Sequence, residues 1–153
     1  MASPPATVHA SAVLVGPHAV LIRGPSGSGK SRLALELIEM ARTGSLPFAR
    51  LVADDRVYLE AAHGRLLTRP AEALAGLIEV RGVGLMRLAH EASAVVGLVV
   101  DLAAADAQRL PEAASRRTEI HGIQLPRLAV ASGTAALPAL IAYITHEMTS
   151  SDG

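Results

Sequence analysis

Gly24-Pro25-Ser26-Gly27-Ser28-Gly29-Lys30-Ser31 decides how this chain is read. It satisfies every fixed position of the phosphate-binding pattern G-x-x-x-x-G-K-[ST]. Its flanks agree. Ala19-Val20-Leu21-Ile22-Arg23 is a short apolar run ending at the first glycine, which reads as a buried strand. Beyond Ser31, the residues Leu33, Ala34, Leu37, Ile38 and Ala41 recur at helical spacing, with Glu36 and Glu39 on another face. A strand, a glycine-rich turn and a helix in that order are the context such a loop requires.

The residue types fit the chemistry. Glycines let successive backbone N–H groups turn inward toward phosphate oxygens, and the helix N-terminus adds partial positive charge. Lys30 can bring an ammonium to the β- and γ-phosphates, and the Ser31 hydroxyl can ligate Mg²⁺. Lys30 is the only lysine in the chain; the other thirteen basic residues are arginine. A compact ammonium is not interchangeable with a planar guanidinium at such a position.

Composition narrows the classes. At 153 residues the length fits one domain, expected over 7–149 with a loose arm at 1–6 and a tail at 150–153. Phe48, Tyr58 and Tyr143 are the only aromatic residues, so the core is aliphatic and stacking platforms for single-stranded nucleic acid are lacking. The formal net charge is zero, which disfavours a nucleic-acid or anionic-membrane partner. With no cysteine there is no disulfide framework. Neither a signal-peptide pattern nor an apolar run of about 18 residues is present, and a cytoplasmic location is expected.

The chain reads as many short strands with two helices, which points to an α/β fold with a mixed sheet. Strands are expected near 7–15, 19–23, 50–53, 56–60, 65–68, 77–81, 92–102, 120–125 and 128–131. Helices are expected at 29–42 and 135–147. A phosphate loop also needs a carboxylate at a strand end for the metal. Asp54-Asp55 offers a pair, Asp101 follows the apolar run 95–100, and spacing favours neither. Adjacent strand residues point to opposite faces, so Asp54 and Asp55 serve one site only if the chain bends there.

Four features stand in order: His9 with Ser11 before a hairpin, the loop 24–31, Leu51-Val52-Ala53-Asp54-Asp55-Arg56-Val57, and Ile78-Glu79-Val80-Arg81-Gly82-Val83-Gly84. Together they resemble the catalytic domain of HPr kinase/phosphorylase, over roughly 7–145, in a short form without that family's N-terminal domain. The resemblance implies a P-loop kinase with a mixed sheet, similar to the phosphoenolpyruvate carboxykinase-like fold. It implies ATP and Mg²⁺ as cofactors and the serine of an HPr-type phosphocarrier of the bacterial phosphotransferase system as acceptor. It also implies a homo-oligomer, a hexamer in the family.

Carried over residue by residue, the resemblance makes Asp55 the acid/base at the serine hydroxyl and Lys30 the phosphate-binding cation. Ser31, Asp54 and Glu79 become the metal-side groups, while His9 and Arg109 take the places of an active-site histidine and arginine. Arg32 departs from the acidic residue that many members carry. Val130-Ala131-Ser132-Gly133-Thr134-Ala135 lacks the basic side chains of the family's phosphorolysis segment. A nucleotide-binding regulatory module without transfer activity and a small-molecule P-loop kinase are the alternative readings.

Overall fold

The computed structural model describes residues 6–148; the expected tail and all but the last residue of the expected arm lie outside them. Strand β1 (Val8–Val15) turns at Gly16, where φ is 60°, into the antiparallel β2 (His18–Arg23). The loop 24–31 leads into α1 (Lys30–Arg42), which returns to β3 (Ala49–Ala53) on the other side of β1. A bend at Asp54-Asp55 starts the hairpin β4 (Arg56–Ala62) and β5 (Arg65–Pro70). A separate two-stranded ribbon follows, β6 (Leu77–Val80) with β7 (Gly84–Arg87). Next come β8 (Ala94–Asp101), β9 (Arg117–Ile120), β10 (Ile123–Ala129) and α2 (Leu137–Tyr143).

The expected mixed sheet is present. β8 runs parallel to both β2 and β10, whereas β1 is antiparallel to β2, β3 and β4. β1 and β8 each serve two sets of neighbours. The start of β1 pairs with β4 and the start of β8 with β5, so the β4–β5 hairpin closes over one face.

This arrangement explains the continuous apolar runs. A strand covered on both faces has no solvent side to alternate with. Val20 and Ile22 face a core shared with Leu33 and Leu37 of α1 and Leu140 of α2. Leu21, between them, faces the second core with Val57 of β4 and Leu66 of β5. All eight are at most 2% exposed, so the loop's supporting strand is fixed from both sides.

Three expectations need correction. The last helix is shorter than 135–147: Ser132-Gly133-Thr134 form a turn, α2 begins at Leu137, and a wider turn of π type replaces it over Ile144–Met148. The strands expected at 120–125 and 128–131 are one hairpin, β9 and β10, turning at His121-Gly122. β7 is an additional strand, unforeseen because all four of its residues are exposed and no burial pattern marks it.

Candidate active site

The loop 24–31 joins the carboxyl end of β2 to the amino end of α1, as its flanks dictate. Gly29 caps α1 in a left-handed conformation, φ 101°, with no side-chain cap and no acidic residue in the first turn. The first N–H groups of a helix lack intrahelical partners, so this end presents donors and positive potential to the space before it. Ser28 N–H donates to Pro25 O at 3.0 Å and closes the turn. Gly24 is required for a steric reason. A Cβ there would stand 2.5 Å from Ser28 Oγ and 3.1 Å from Leu102 Cβ. Lys30 Nζ donates to Gly24 O at 2.8 Å and Pro25 O at 3.1 Å, which holds the ammonium over its own loop.

Asp54 and Asp55 share one site because the chain bends between β3 and β4. Asp55 has φ 69°, a conformation aspartate tolerates better than most side chains, and Arg56 N–H closes back on Asp54 O at 2.8 Å. Asp54 turns inward and is 4% exposed; Asp55 turns outward. The Asp54 carboxylate accepts from Ser11 Oγ at 2.7 Å, from Ser31 Oγ at 2.7 and 2.9 Å, and from Glu79 N–H at 3.3 Å. A buried carboxylate needs such donors, and three different segments supply them.

A cleft of about 660 Å³ opens above this carboxylate. Gly27, Lys30, Ser31, Asp55, Glu79 and Arg81 line it. The cleft therefore gathers the loop, the exposed aspartate and the ribbon carboxylate. His9 sits at its edge: Nδ1 is 4.0 Å from Asp55 Oδ1, beyond hydrogen-bond distance, and both side chains are largely exposed. Arg109 lies exposed in the irregular segment before Pro111 and is not among the lining residues.

Asp101 is engaged elsewhere. It accepts from Arg23 Nε at 2.7 Å and Nη2 at 2.8 Å, and from Arg127 Nε at 2.6 Å. Burial pushes its carboxyl up, but the two arginines outweigh burial and hold it below the usual carboxylate range. Arg127 also grips Asp106 through Nη1 and Nη2 at 2.7 and 2.9 Å, pinning the segment after β8.

No cluster of three metal-ligating side chains occurs among the described residues. Mg²⁺ does not need one, because it is bound through one or two carboxylates together with substrate phosphates and waters. Ser31, Asp54 and Glu79 beside a loop of backbone donors suit that arrangement.

Sequence reasoning gave no role to Ser11, Arg81 or Arg127. Ser11 and Arg81 both stood in the motifs that carry the resemblance, Ser11 as a hydroxyl in an otherwise apolar strand interior, whereas nothing marked Arg127.

The family model for the HPr serine kinase C-terminal domain matches residues 2–144. The chain belongs to this family. HPr kinase/phosphorylase of Streptococcus thermophilus (strain ATCC BAA-491 / LMD-9) is 36% identical over 135 residues, 81% of this chain and 41% of that protein. That of Streptococcus sanguinis (strain SK36) is 38% identical over 122 residues, 72% of this chain and 37% of that protein. The chain thus spans about two fifths of the length of these relatives. Among solved structures, the Hpr(Ser) kinase/phosphatase from Coxiella burnetii superposes with a TM-score of 0.76 at 24% identity, covering 97% of this chain and 99% of that one. This likeness is one of fold. No helix among the described residues is long and apolar enough to cross a membrane.

Proposed function

We propose that this HPr kinase C-terminal domain is an ATP- and Mg²⁺-dependent kinase that phosphorylates a serine of an HPr-type carrier protein. The observation that carries the reading is the meeting of Ser31 with Asp54, under a cleft that also holds Lys30, Asp55 and Glu79. Phosphoryl transfer asks a protein for positioning, charge neutralisation and one group at the nucleophile. The residues divide these tasks. The backbone donors of 24–31 and the Lys30 ammonium hold the phosphates. Ser31, Asp54 and Glu79 form the metal side. Asp55, exposed in the cleft, orients the incoming serine hydroxyl and accepts its proton. Mg²⁺ when bound supplies Lewis-acid stabilisation of the charge on the transferred group.

His9, 4.0 Å from Asp55, is read as a residue that meets the carrier rather than the phosphates, and Arg109 keeps only the role that the family resemblance implies. Asp101 is assigned a structural role, because both its oxygens are taken by arginines. The segment 130–135 has no basic side chain, which favours the forward reaction over phosphorolysis.

The test is to incubate the protein with Mg-ATP and the HPr-type carriers of its own genome. One carrier should become heavier by a single phosphoryl group, mapped to a serine by fragmentation. ATP binding without any carrier gaining mass would support a regulatory nucleotide-binding module instead.

A further inference from the structure

Beyond the loop, the cleft continues between α1 and the ribbon. Arg32 and Leu35, three positions apart on one face of α1, line it from one side, and Val80 and Arg81 line it from the other. Leu35 and Val80 are partly buried and pack against the core under α1, so this part of the cleft has a fixed apolar floor.

The phosphate chemistry leaves two of the cleft's cations unused. Of the three in its lining, Lys30 alone is turned to the loop, through Gly24 O and Pro25 O. The Arg32 side chain is 83% exposed, and its partner, Glu36 at 3.8 Å, stands one turn further along the helix, away from the loop. An ion pair so open to water is weak and exchanges readily. Arg81 has no hydrogen bond or ion pair among the described residues, although Asp55 and Glu79 line the same cleft. Two guanidinium groups are thus available over an apolar floor, in the cleft whose Asp55 is read as the base for the acceptor serine.

We propose that Arg32 is a specificity-determining residue for the acceptor protein. With Arg81 it receives a carboxylate that the carrier bears near its serine, while an apolar side chain of the carrier covers Leu35 and Val80. The proposal rests on the kinase reading given above.

A guanidinium presents a planar fork of donors that matches a carboxylate. Such pairs at the rim of an interface select partners and speed encounter more than they add affinity. The whole chain has a formal net charge of zero, so selection falls to these local groups rather than to a general field.

Calorimetry of the whole chain with the intact carrier, and with carriers in which each Asp or Glu near the serine is changed in turn to Lys, tests this; transfer rates are measured alongside. Arg32→Gln should weaken carrier binding about fivefold and flatten its salt dependence, with Mg-ATP affinity changed by less than about twofold. Arg32→Glu should weaken carrier binding about tenfold or more. One Lys carrier, poorly bound by the wild type, should then bind Arg32→Glu at least about fivefold more tightly than it binds the wild type. An acidic residue in the first turn suits the helix dipole, so this variant should keep its fold, which thermal melting checks.

Carrier affinity unchanged in both variants would overturn the proposal, and so would a weakening that no Lys carrier reverses. An equal loss of Mg-ATP affinity in Arg32→Gln would place Arg32 at the phosphates and overturn it too. A folded wild type that binds no carrier would overturn the proposal together with the acceptor reading. A wild type that binds a carrier without transferring phosphate would overturn the kinase reading alone, since the charge exchange still decides the role of Arg32.

Discussion

Ser31 Oγ reaches both oxygens of Asp54, at 2.7 and 2.9 Å, across 23 positions of sequence. The contact joins the first turn of α1 to the end of β3, so the phosphate loop and the acidic bend are held as one unit. Ser11 holds the same carboxylate from β1.

Ser31→Ala should separate metal binding from folding. Asp54 keeps its bond from Ser11, so the stability loss should be modest, about 1 kcal/mol. The Mg²⁺ concentration giving half-maximal transfer should rise about tenfold, because a hydroxyl ligand is gone. Titrating Mg²⁺ at saturating ATP measures it; an unchanged midpoint would remove Ser31 from the metal side.

Gly24→Ala should damage loop and fold together. The added Cβ meets Ser28 Oγ at 2.5 Å and Leu102 Cβ at 3.1 Å, and only the serine side chain can rotate away. Overpacking of this kind costs about 1–3 kcal/mol. Thermal melting and ATP calorimetry should both worsen; a variant with wild-type values in both would mean that the loop is looser than described.

Asp101→Asn should lower stability rather than abolish transfer. It leaves Arg127, 13% exposed, and Arg23 without their shared charge, a loss of about 2–4 kcal/mol. The pH dependence has a defined sign. Asp101 titrates lower when folded than when unfolded, so its contribution is complete above the unfolded-chain value of about 3.9 and is lost as pH falls from there toward the folded value. Urea midpoints of wild type and variant should therefore differ most at neutral pH and converge below about pH 4. A gap independent of pH would place the effect outside the ion pair.

Much of this was legible because burial leaves patterns. The run 19–23, the glycines after it and the helical spacing of Leu33, Ala34 and Leu37 all answer to one packed strand and helix. The bend at Asp54-Asp55 was expected from two carboxylates needing one site, and the positive φ of Asp55 supplies it. The ribbon strand β7 was not legible, since exposed Leu85 and Met86 sit in no core. Nor was the role of Arg127. Its partners Asp101 and Asp106 lie 26 and 21 positions away, and only the pairing of β10 with β8 brings them together.

Asp55 is the residue on which the account turns, and a single-turnover comparison of wild type with Asp55→Asn tests it most directly. Labelled ATP, Mg²⁺ and the HPr-type carrier are mixed with excess enzyme, and labelled phosphoserine is followed in time. The wild type should label the carrier, while Asp55→Asn should bind ATP normally and transfer about a hundredfold or more slowly. Equal rates for the two proteins would contradict the assignment of Asp55 as the base, and a folded, ATP-binding wild type that labels no carrier would contradict the kinase itself.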